Sequence, residues 1–184
     1  ISAITRNSVN GFGGVISGGA IGGSGSVDHH IVVATTLAGT GDRVVLNAGN
    51  LVVTAAGFVG KINSSDSETN IDANTGGVVS AAGGEGKLIM NLDTQSEIGE
   101  HNNINITLLD GLKNSRSLGE LTVTSLNSFD IDYMANFLTG GALAAAGVSL
   151  EISTDGKNIT GTEGVYRAVA TLGLNSTVNT EGRA

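Results

Sequence analysis

The chain has 184 residues, a net charge of −8 and 29 Gly, with no Cys, no Pro and no Trp. Without thiols there is no disulfide framework, thiolate nucleophile or Cys-based zinc site. With nine Lys and Arg against 17 Asp and Glu, no basic surface exists for nucleic-acid phosphates or an anionic membrane.

The N-terminal segment 1–27 reads as a Gly-rich arm. Its stretch "NGFGGVISGGAIGGSGSV" (10–27) scatters Phe12, Val15, Ile16, Ala20 and Ile21 among glycines, and no charge falls between Arg6 and Asp28. The glycines make this window too weakly apolar to span a bilayer. No G-x-G here follows a strand and opens a helix, so no dinucleotide site is expected. A plain solvated tether has no need of those five apolar residues. The arm is therefore expected to supply a strand to a neighbouring subunit, where glycine avoids clashes and charge would be penalised.

Residues 28–184 read as one β-rich domain. β-Branched runs at 31–37, 43–47 and 51–55 are separated by turn-forming "AGTGD" and "AGN". A polar stretch (63–77) reads as a long loop, and further strand-like runs follow at 77–81, 87–92, 104–109, 121–126, 148–153 and 165–174. Val148, Leu150 and Ile152 share one parity, as do Tyr166, Ala168, Ala170, Leu172 and Leu174. Only "SFDIDYMANFL" (128–138) suggests a helix, with Ser128 or Asp130 as N-cap and Gly140 and Gly141 ending it.

Alternation with one polar face predicts an all-β fold of antiparallel strands, a β-sandwich of jelly-roll type. The alternative is a β-solenoid: segments beginning at Lys87, Ile104 and Leu121 step by 17 residues and bring Leu-Asx pairs into register. That step fails before residue 87 and between 126 and 148, which favours the sandwich.

Little chemistry is legible. No G-x-S-x-G elbow occurs, and the chain is not expected to be an enzyme; a polysaccharide-active β-protein is the form an enzyme reading would take. His29 and His30 follow Asp28, but adjacent residues on a strand point to opposite faces and cannot readily share a metal. Asp66, Glu68, Asn70, Asp72 and Asn74 alternate oxygen donors in the manner hard cations prefer, making calcium the one cofactor to consider. The EF-hand pattern nonetheless fails at its twelfth position. Sequons are no more frequent than so Asn-, Ser- and Thr-rich a chain makes by chance; Asn63, in the 63–77 loop, is the glycosylation candidate.

The composition resembles that of secreted microbial surface and fibre proteins. A first residue of Ile rather than Met fits a removed leader and a place at the cell surface. The expected function is a structural subunit of an extracellular filament, pilus-like fibre or surface layer. Its partner would be copies of itself, joined by the arm, with no nucleic acid and no membrane insertion. The alternative is an adhesin or carbohydrate-binding domain, with recognition in the loops 63–77 and 95–103 and a host or cell-surface ligand. Scarce aromatics count against sugar stacking.

Overall fold

The computed structural model describes residues 1–61, 71–107, 119–154 and 164–180. It is all β, and every strand pairing is parallel. The antiparallel sandwich is therefore wrong. The chain winds through three stacked coils, the solenoid arrangement.

The first coil holds β1 (Ser2–Val9), β2 (Gly13–Gly18), β3 (Ile21–Thr40) and β4 (Val45–Ala48). The second repeats the course with β5 (Asn50–Lys61), β6 (Ile71–Gly76), β7 (Val79–Ile98) and β8 (Asn103–Ile106). The third has β9 (Glu120–Ile131), β10 (Ala135–Gly140), β11 (Leu143–Ser153), β12 (Arg167–Leu172) and β13 (Thr177–Thr180). Strands of the second coil lie between those of the other two: β1-β5-β9, β2-β6-β10, β3-β7 with β11 and β12, and β4-β8-β13.

The expected helix at 128–138 is absent. Ser128–Ile131 finish β9, residues 132–134 turn, and Ala135–Gly140 form β10. The helical spacing of Ile131, Met134 and Leu138 is an accident of a corner between two strands.

Each coil is flattened. β3 runs back past β2 and then β1, so Ser17 Oγ donates to Gly23 O (2.7 Å) and Thr36 Oγ1 to Thr5 Oγ1 (2.7 Å) across the interior. The interior is apolar toward the β4 end, where Leu51, Val53, Ala55, Ile98, Ile104 and Ile106 pack with Ala38. A second cluster, Val32, Val59, Leu88, Met90 and Leu92, fills the middle. Most of these side chains belong to the second coil because only it is covered on both sides. Toward the β2 end the two walls close in, which explains Gly13 and Gly22 of the arm. A Cβ on Gly22 would stand 2.6 Å from Thr75 Oγ1 and 2.8 Å from the Gly76 carbonyl, whereas one on Gly23 would meet open space.

Corners repeat as well. Arg43, His101 and Asn175 occupy the same turn of successive coils, each at φ 57°. In the second coil, buried Asn102 ties this corner together. Its Nδ2 donates to Thr40 Oγ1 and to the carbonyls of Gly41 and Gly99, and its Oδ1 accepts from Val44 N (2.6 Å). Ser176 stands at the same place in the third coil and donates to the Gly99 carbonyl (2.9 Å).

The glycine geometry gives a paired test. Gly22→Val is expected to lower stability by about 1–3 kcal/mol through overpacking. Gly23→Ala should be neutral or slightly stabilising. Urea unfolding of the two variants checks both.

Candidate functional site

Two features carry chemistry or contact potential: a charged cluster inside the stack, and the strand edges at its two ends.

The cluster gathers one residue or more from each coil. β3 alternates inward and outward, so Asp28 and His30 point in while His29 points out. β5 ends its inward series Leu51, Val53, Ala55, Gly57, Val59 on Lys61, which is 0% exposed. Lys61 Nζ donates to Asp28 Oδ2 (2.8 Å), with Asp28 itself 6% exposed. Tyr133, from the turn after β9, donates to the same carboxyl oxygen (2.7 Å) and to the Asp28 carbonyl (3.1 Å), and its ring lies 4.7 Å from the Lys61 ammonium. His30 Nε2 stands 2.7 Å from Asp28 Oδ1 as an ion-pair contact without hydrogen-bond alignment. Gly86, paired with Asp28, leaves the room that the Tyr133 hydroxyl fills.

Burial pushes the Asp28 carboxyl upward. The hydrogen bonds from Lys61 and Tyr133, with the charges of Lys61 and His30, outweigh it and hold the group below its ordinary 3.8. Burial, then the bond to Asp28 and its negative charge, drives the Tyr133 hydroxyl well above its ordinary range. At neutral pH Asp28 is thus a carboxylate beside a neutral phenol. Its hydrogen bonds join residues of all three coils, so the cluster reads as a structural tie.

The sequence-derived candidates are placed as follows. The arm does not hang free: Gly13–Gly18 pair with β6 and Ile21 onward with β7, all within the chain. Val15 lies in the inward column with Ala73 and Phe137. Ile16 and Ile21 face outward and are 83% and 81% exposed, on either side of the corner holding Ala20, and Phe12 is also exposed. Of the calcium candidates, Asp66, Glu68 and Asn70 lie outside the described residues, as does Asn63. Asp72 and Asn74 fall in β6, where Asn74 Nδ2 donates to Asp72 Oδ1 (2.8 Å) and Asn136 adds a second donor (3.3 Å). No group of three or more metal-ligating side chains occurs among the described residues. The 63–77 stretch includes β6, and 95–103 is the end of β7 with its corner.

Sequence reasoning missed the tie of Lys61, Asp28 and Tyr133. The available signal was parity: Lys61 is the sixth place of an alternation whose first five, Leu51 to Val59, carry no polar side chain.

The edges are the second feature. Among the described residues, β1 to β4 have a partner strand on one side only, and so do β9 to β13. At the third coil the inward positions Val148, Leu150 and Ile152 are left 55%, 48% and 45% exposed. Among the described residues no charge lies inward on β11 and no Pro interrupts an edge strand, so these two protections against strand addition are missing at the third coil.

Columns of like or paired side chains run along the stack. Asn105 Nδ2 donates to Asn47 Oδ1 (2.9 Å) and Asn179 Nδ2 to Asn105 Oδ1 (2.8 Å), an Asn ladder over β4, β8 and β13. In the sheet of β3, β7 and β11, His29, Lys87 and Glu151 share a column, with Lys87 Nζ 2.8 Å from Glu151 Oε2 and His29 Nε2 3.0 Å from Glu85 Oε1. Arg167 grips Asp93 in bidentate fashion at 2.7 and 2.9 Å, joining β12 to β7.

Comparison with protein-family models, curated proteins and solved structures finds no match to this chain.

Breaking the internal tie should be costly. Asp28→Asn or Lys61→Met alone is expected to cost about 3–5 kcal/mol, because each leaves a charge buried without its partner. A carboxyl held below its unfolded value stabilises the fold above that value and loses the contribution as pH falls through the folded one. Urea midpoints measured from pH 6 down to pH 2 should therefore drop in the parent chain, and drop less in Asp28→Asn.

Proposed function

We propose that this protein is the structural subunit of an extracellular self-assembling fibre or surface layer. The observation that carries the reading is that, among the described residues, the outer edges of the first and third coils are unpaired parallel strands, with inward Val148, Leu150 and Ile152 left exposed on the third. Addition of a coil from another copy would satisfy the backbone groups of both and cover the inward side chains. The scarcity of charge and of aromatic residues suits a stacking surface better than a ligand cleft. The joint in this reading is made by the outer edge of the whole N-terminal coil, with the arm in place as β2 and the start of β3. The arm does not need to leave its own subunit.

Negative-stain microscopy and light scattering test the proposal. The intact chain is expected to form elongated polymers. A Val148→Lys/Leu150→Lys variant, which puts two charges on the inward face of the open end, should remain monomeric with an unchanged β-sheet circular dichroism spectrum. If the intact chain is itself monomeric at every concentration, the fibre reading fails and a binding module becomes the better account.

A further inference from the structure

Resting on that fibre reading, we infer that a second copy of this chain docks head to tail, its first coil continuing the third coil of the preceding copy strand for strand. Two columns in different sheets select this partner and this direction.

The Asn ladder is polar. Every amide donates toward the first coil, so Asn47 retains free Nδ2 donors at one end and Asn179 a free Oδ1 acceptor at the other. Placing Asn47 of a following copy over Asn179 adds the same Nδ2–H···Oδ1 bond. A head-to-head or tail-to-tail joint would reverse the facing strands and would not extend this ladder.

The charged column agrees independently. Glu151 is held on its inner side by Lys87, and its outer side faces the open edge. The next residue of that column in a following copy is His29, which already pairs with a carboxylate, Glu85, in its own chain. A two-fold joint would run the facing strands antiparallel and would not continue this column, against the parallel order of every pairing within the chain. The contact is heterologous and does not close, so it propagates.

The absence of Cys allows the register to be read directly. Adjacent parallel strands place column neighbours about 4.8 Å apart, within disulfide reach, whereas 47 and 179 of one chain are separated by two strand spacings, about 10 Å. An Asn47→Cys/Asn179→Cys chain, polymerised and treated with a mild oxidant, is expected to give a series of disulfide-linked dimers, trimers and larger species on denaturing gels. As a second variant, Asn47→Asp keeps the acceptor for Asn105 but loses the donor at the joint. It should fold with unchanged stability and raise the concentration needed for polymerisation about tenfold.

Polymers of the parent chain that yield no linked species from the double-Cys variant, and that are insensitive to Asn47→Asp, would overturn the head-to-tail register while leaving the fibre reading intact. A parent chain that never polymerises would overturn both.

Discussion

Parallel, in-register stacking governs this molecule. Each strand's hydrogen-bonding partner lies a full coil away, 58 residues at Ser17 and Thr75 and 74 at Asn105 and Asn179. A parallel ladder of this kind closes only if every column tolerates its neighbours above and below. Inward columns must be apolar where the walls are apart, hence Leu51, Val53, Ile98 and Ile104. They must be small where the walls approach, as at Gly13, Ser17 and Gly22. Outward columns are free to be polar, and repeat Asn or alternate charge. Such distant pairing carries a large loop-closure cost before any reward, so folding is expected to be slow relative to a helical chain of equal length.

The buried tie fits this logic. Asp28, Lys61 and Tyr133 come from the first coil, the second coil and the turn within the third, so their hydrogen bonds can form only when all three coils hold the same register. An apolar set of similar volume would bury at lower desolvation cost. It would also permit a slip of β5 by two residues without penalty, since Val59 and Lys61 share a parity. The charged tie forbids that slip.

How much of this was visible in the residues depends on the level. Strand content and parity were legible: Val148, Leu150 and Ile152 do share the inward face, and His29 and His30 do point apart. Strand direction was not. Period-two alternation reports one buried face and says nothing about whether the neighbouring strand runs parallel or antiparallel, and a flattened solenoid buries only one face of each wall. The repeat was also present but disguised. Ser17-Gly18-Gly19-Ala20-Ile21, Thr75-Gly76-Gly77-Val78-Val79 and Thr139-Gly140-Gly141-Ala142-Leu143 mark one corner three times. Gly41 to Asn47, Gly99 to Asn105 and Gly173 to Asn179 mark another, each ending in an aliphatic residue and Asn. The separations are unequal, 58 then 64 at the first corner and 58 then 74 at the second, because segments between strands differ in length. The 17-residue step joins positions that the fold does not stack: Lys87 pairs with His29 and Glu151, not with residue 104.

The glycines of the arm take their meaning from the same constraint. They form the narrow end of the first coil, and the apolar residues among them divide between the inward column, where Val15 lies at the open edge, and the exposed corner, as Ile16 and Ile21 do. Coils stack along one axis, and in the proposed fibre that axis continues from copy to copy. X-ray diffraction from aligned polymers reads this out. A reflection near 4.8 Å along the fibre axis is expected, with a subunit repeat of about 14 Å for three coils. A 4.8 Å reflection perpendicular to the axis would mean strands running along the fibre, and would contradict it.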